Sequence, residues 1–94
     1  MLWTLNKREM SDKNDQVVIK LDTRADTLTF SYAPKTERAL FDICDLNGRI
    51  LKTGEIADDD TQVKVAELHE DQYILLVLDG DEAASKRFEI KRAS

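Results

Sequence analysis

Short runs of alternating apolar and polar residues recur along most of this chain, each closed by a polar or glycine-containing break. They fall at residues 16–21, 27–32, 39–45, 49–56, 61–68, 73–79 and 85–91, and are enriched in Val, Ile, Thr, Tyr and Phe. A less marked eighth run covers residues 2–5. Period-two alternation puts successive side chains on opposite faces of an extended strand. The run at 27–32 is the cleanest: Leu28, Phe30 and Tyr32 share one face. Many short strands at regular spacing predict an all-β sandwich or barrel. A short helix over 81–87 is the competing reading of that stretch. Residues 7–15 form the most polar stretch and are a candidate for a loose segment.

One hairpin can be specified by its pairing. Asn47-Gly48 lies between two runs, and two registers compete. A two-residue turn at Asn47-Gly48 pairs Ile43 with Lys52 and Asp45 with Ile50, which are poor partners. A three-residue loop with Gly48 left-handed pairs Ile43 with Leu51, Cys44 with Ile50, Asp45 with Arg49 and Asp42 with Lys52. Matched cross-strand pairs contribute roughly 0.2–1 kcal/mol each, so the bulged register is expected. It sets Phe41, Ile43 and Leu51 on the core face and Cys44 and Ile50 on the opposite one.

The run Tyr73-Ile74-Leu75-Leu76-Val77-Leu78 is apolar on both faces. With Tyr73, Leu75 and Val77 inward, Ile74, Leu76 and Leu78 point away from the core. Together with Cys44 and Ile50 they make an apolar outer patch. Either the N-terminal Leu2, Trp3 and Leu5 or another loop cover it, or it is a partner or dimer surface.

Composition narrows the function classes. The net charge of -5 disfavours phosphate-backbone binding, so no nucleic-acid partner is expected. No apolar stretch approaches the roughly 20 residues of a membrane span. The chain as given opens without the basic start and long apolar run of a signal peptide. A single cysteine, Cys44, makes no internal disulfide, and one histidine, His69, leaves too few ligands for zinc.

Catalytic and metal-binding constellations are weak. A Cys44–His69 dyad requires a thiolate within reach of the imidazole, yet Cys44 is predicted mid-strand and His69 in a loop. Asp58-Asp59-Asp60 is acidic enough for calcium, but three consecutive residues on an extended chain do not converge. Asp79-Gly80-Asp81-Glu82 reads as a hairpin turn. Lys86, Arg87, Lys91 and Arg92 make the last run basic, as suits a solubilising edge or an acidic partner. Trp3 and Tyr32 are candidate sugar-stacking rings, though a Trp near a terminus more often plugs a sandwich end. Neither catalysis nor a cofactor is expected.

From residue 39 to 91 the chain resembles one known pattern. Ile43-Cys44-Asp45-Leu46-Asn47-Gly48-Arg49-Ile50-Leu51 resembles the sequence of an apolar residue, an aromatic, Asp, two residues, Gly, a basic residue and two apolar ones. Val63-Lys64-Val65-Ala66-Glu67-Leu68 followed by Tyr73-Ile74-Leu75-Leu76-Val77 resembles its next strand pair, and Asp79-Gly80 with Arg87-Phe88-Glu89-Ile90 its closing hairpin. The pattern is that of the C-terminal sorting domain of the Bacteroidetes type IX secretion system, shared by small stand-alone exported proteins. Asp71 stands where that family has Gly, so a left-handed turn is expected there. The resemblance implies an immunoglobulin-like antiparallel β-sandwich of seven to eight strands spanning residues 1–94 as a single domain. It implies a recognition module docked by an export machine through a strand edge or the outer patch. The rival is a stand-alone exported protein that binds a protein or glycan. Either implies a secreted, periplasmic or cell-surface location and leaves a homodimer open.

Overall fold

A computed structural model describes residues 17–92. The expected eighth strand at 2–5 and the polar stretch at 7–15 lie outside the described residues, as do Leu2, Trp3 and Leu5. Within them the chain is an immunoglobulin-like β-sandwich of seven strands and no helix: β1 (Val18–Asp22), β2 (Thr27–Ser31), β3 (Leu40–Asp45), β4 (Ile50–Glu55), β5 (Asp60–Lys64), β6 (Asp71–Asp79) and β7 (Glu82–Ile90). A three-stranded sheet in the order β1-β2-β5 faces a four-stranded sheet in the order β4-β3-β6-β7, and every pairing is antiparallel.

This order differs from a constant-type immunoglobulin domain, whose fourth strand completes the first sheet. The β3–β4 loop explains the difference. Gly48 donates its N–H to the Asp45 carbonyl at 3.0 Å, and the Asp45 N–H reaches the Arg49 carbonyl at 3.0 Å. One Asp45 carboxylate oxygen also accepts the Asn47 and Arg49 N–H groups, each at 2.9 Å. These bonds fold the loop back into a closed hairpin, so β4 pairs with β3 and does not cross the ~10 Å to the other sheet.

The expected bulged turn is present, with Gly48 at φ 88° and Cys44 opposite Ile50. The register then departs from expectation. A second bulge leaves Leu51 unpaired and sets Ile43 against Lys52 and Asp42 against Thr53. Leu51 is therefore not on the core face; it is 38% exposed. Phe41 and Ile43 are buried as expected. Phe41 lies opposite Gly54, where an added Cβ would sit 2.6 Å from the ring, so the glycine is what lets the ring lie over the strand.

The strand expected over 85–91 is present and starts earlier, and the competing helix at 81–87 does not form. Residues Glu82 to Ile90 pair with β6 along its whole length. The two-residue loop Gly80-Asp81, with Gly80 at φ 62°, turns the chain straight back, and pairing satisfies β6's second row of backbone donors and acceptors. Asp71 is also corrected. It is the first residue of β6, opposite Ile90, and the left-handed non-glycine among the described residues is Asp26 at φ 51°. The 61–68 run ends as a strand at Lys64, and Leu68 closes a turn onto the Val65 carbonyl.

The core is one cluster filled from both sheets. Leu28, Phe30 and Tyr32 enter from the first; Phe41, Ile43, Tyr73, Leu75, Val77, Phe88 and Ile90 enter from the second. Phe30 and Phe41 meet edge to face across the layers, with centroids 5.3 Å apart. Full burial of side chains of this size contributes about 1.5–3 kcal/mol each.

Candidate functional site

The β4-β3-β6-β7 sheet turns its second face away from the core. Tyr73, Leu75 and Val77 are buried inward, and Ile74, Leu76 and Leu78 alternate outward, as the β6 pattern predicts. The strand register arranges the outer side chains in rows. Ile50, Cys44, Ile74 and Arg87 form one; Thr53, Asp42, Leu76 and Ser85 the next; Glu55, Leu40, Leu78 and Ala83 the third. The structure thus brings Cys44, Ile50, Ile74, Leu76 and Leu78 together and adds Leu40. Ile50 is 59% exposed, Leu40 42% and Leu78 37%, while Ile74 and Leu76 are half-buried. Cys44 differs: it lies on this face yet is buried, flanked by Ile50 and Ile74.

Asp42 has a different environment from the one expected. The second bulge moves Lys52 onto the core-facing row beside Ile43, where its ammonium pairs with Glu67. Asp42 is left between Leu40 and Cys44 on β3 and beside Leu76 on β6. No cation of the described residues pairs with it, Arg87 included. The bulge that strips Asp42 of its partner has no plain signal in the sequence.

Two polar clusters missing from the sequence reading tie the sheets at opposite ends. At one end Asp79, 2% exposed, accepts the Tyr32 hydroxyl at 2.7 Å, the Lys35 N–H at 2.7 Å, and the Thr36 N–H and hydroxyl at 3.0 and 2.7 Å. The Lys35 N–H and the Thr36 hydroxyl lead in holding its carboxyl down to about 2. Burial, then the bond to Asp79, pushes the Tyr32 phenol well above its ordinary range. Gly80 lets the Thr36 loop approach, since a Cβ there would lie 3.0 Å from the Thr36 methyl. Tyr32 is therefore a buried strut and not a sugar platform; Trp3 lies outside the described residues.

At the other end Arg92 follows β7. Its guanidinium donates to Asp26 at 3.0 Å, to the Leu68 carbonyl at 2.7 Å and to the Val65 carbonyl at 2.9 Å. Its own N–H reaches Glu70 at 3.0 Å. Arg92 thus works inward on the fold, while Arg87 stays exposed and Lys86 lies on the inward row of the edge strand β7, opposite Leu75. An inward-pointing charge on an edge strand opposes sheet extension.

The reactive-residue candidates meet ordinary surroundings. Burial, with the charges of Asp42 and Asp45, pushes the Cys44 thiol up, opposite to what an activated nucleophile requires. His69 is exposed in the β5–β6 loop, and its carbonyl accepts the Tyr73 hydroxyl at 2.7 Å. In the acidic run, Asp60 accepts the Ser31 hydroxyl at 2.6 Å and the Asp59 carbonyl accepts the Tyr32 N–H at 2.8 Å. No group of three or more potential metal ligands converges among the described residues. None of the described residues forms a helix long and apolar enough to cross a membrane. No protein-family model matches the chain, and no curated protein matches it significantly.

Proposed function

We propose that this chain is a non-catalytic recognition module, read by a protein partner through the outer face of the β4-β3-β6-β7 sheet. The observation that carries this is the contiguous apolar face of Leu40, Ile50, Ile74, Leu76 and Leu78, three of whose members are more than a third exposed. Isolated exposed apolar residues are normal, but a contiguous patch marks an interaction surface. The resemblance of residues 39–91 to the type IX sorting domain supports docking by an export machine. On that reading the chain works in secretion and reaches the periplasm, the cell surface or the medium.

The test fuses the chain to a folded reporter in a type IX-competent host and measures reporter in the medium. Export is expected, and Ile74→Glu or Leu76→Glu is expected to abolish it while the variant domain keeps its circular dichroism and denaturation midpoint. If the fusion stays in the cell, the sorting role is withdrawn and the small exported binding protein replaces it. If Ile74→Glu or Leu76→Glu unfolds the domain, the face is core and the docking surface is lost with it.

A further inference from the structure

We infer that the outer face takes a protein segment that sets a lysine or arginine among apolar side chains, with that cation placed on Asp42. The inference rests on the outer face being a docking surface and specifies the chemistry of what docks.

Asp42 occupies the middle of the face. Leu40 and Cys44 lie two residues away on β3, and Leu76 lies directly across on β6. A partner that covers Cys44, Ile74, Leu76 and Leu78 therefore covers Asp42. The carboxylate is half-buried and has no hydrogen bond or ion pair with the described residues. The nearest cation by sequence pairing, Lys52, faces the other side of the sheet and is held by Glu67. Removing an ionised carboxylate from water without a counter-charge is costly. A wholly apolar occupant would incur that cost, and an occupant with one basic residue in register would not.

The same group decides between occupants. In a face-to-face dimer about a dyad near the centre of this face, two Asp42 carboxylates would approach each other. Like charges in a desolvated contact are strongly disfavoured. An anionic lipid surface meets the same objection. A basic-apolar segment of another protein satisfies both parts of the face.

The test selects binders to the full chain from a displayed library of randomised peptides. Clones that bind wild type but not Ile74→Glu are directed to the face. They are expected to be enriched in a Lys or Arg flanked by apolar residues. They are expected to bind Asp42→Asn at least tenfold more weakly, and to weaken as salt is raised. Synthetic versions of the best clone with the cation changed to Gln should lose a similar factor on wild type and almost nothing on Asp42→Asn. Face-directed clones without a basic residue, or with equal affinity for Asp42→Asn, overturn the inference and leave the docking face standing. If no clone is sensitive to Ile74→Glu, both fall.

Discussion

Asp79→Asn perturbs the buried carboxylate on which four hydrogen bonds converge. One Asp79 oxygen accepts the Tyr32 hydroxyl and the Lys35 N–H, and the other accepts the Thr36 N–H and hydroxyl. Asparagine keeps the shape and replaces one oxygen with an NH2 group, which only donates. The Tyr and Thr hydroxyls can rotate to accept from it. A backbone N–H cannot, so whichever way the amide turns, either Lys35 or Thr36 faces a donor. An orphaned buried donor costs about 1–3 kcal/mol, and the remaining bonds lose their charge assistance, about 1 kcal/mol each. With one donor orphaned and three bonds left, the expected loss at neutral pH is about 4–6 kcal/mol, a large share of the 5–15 kcal/mol typical of a domain.

The pH dependence separates this account from a general packing defect. The Asp79 carboxyl is held at about 2 against an ordinary 3.8. A folded-state pKa lowered in this way stabilises the native state above the unfolded value. That stabilisation is lost as pH falls from about 4 towards about 2, and it amounts to on the order of 2 kcal/mol. Urea denaturation of both proteins at intervals from pH 7 to 2 should show the gap between them narrowing by that amount across this window, with unchanged m-values. A variant within 1 kcal/mol of wild type at pH 7, or a gap that does not change with pH, would mean that the ionised Asp79 carboxylate does not hold these bonds.

Tyr32→Phe removes one of the four bonds and leaves the carboxylate satisfied by three, so a loss of about 1–2 kcal/mol in urea midpoint is expected. Tyr32 and Tyr73 are the chain's two tyrosines, and burial leads in raising both phenols. Phenolate absorbance should therefore appear at higher pH in the folded than in the unfolded protein, and the associated stability, full below the unfolded pKa, should fall as pH rises past it. Arg92→Lys should lose about 2 kcal/mol, nearly as much as Arg92→Ala, because one ammonium cannot span Asp26 and two carbonyls; full rescue by lysine in thermal melts would contradict the clamp. Gly48→Ala, in open space at φ 88°, should cost about 1–2 kcal/mol with the fold intact.

What was legible in the sequence was whatever a period of two or a turn residue encodes. The alternation of Leu28, Phe30 and Tyr32, the doubly apolar β6 and the Asn47-Gly48 loop carried the strand content, the core face and the outer patch. A short helix competes over 81–87 because Ala83, Ala84 and Lys86 favour helix locally, but pairing with all of β6 decides for the strand. The Leu51 bulge was invisible because the smoother register matched side chains better pair by pair. Asp79 and Arg92 read as an ordinary turn acid and a tail base. Their partners lie tens of residues away, where no local pattern reaches.

The long-range polar ties are placed at the two ends of the sandwich. Tyr32 follows β2 and meets Asp79 at the end of β6; Asp26 precedes β2 and meets Arg92 beyond β7. Each joins the three-stranded sheet to the four-stranded one, so the layers are held top and bottom as well as by the core between them. The outer face of the four-stranded sheet takes no part in either tie. Substitutions at Ile74 or Leu76 therefore act on a surface whose side chains do not hold the layers together, while substitutions at Asp79 or Arg92 act on the layers and leave that surface chemically unchanged. If the face is the site of recognition, binding and stability should separate along this line: Ile74→Glu losing partner and keeping midpoint, Arg92→Ala losing midpoint and keeping partner at temperatures where it remains folded. Variants of both kinds that lose both properties together would mean that the face is part of the core, and that recognition lies elsewhere on the sandwich.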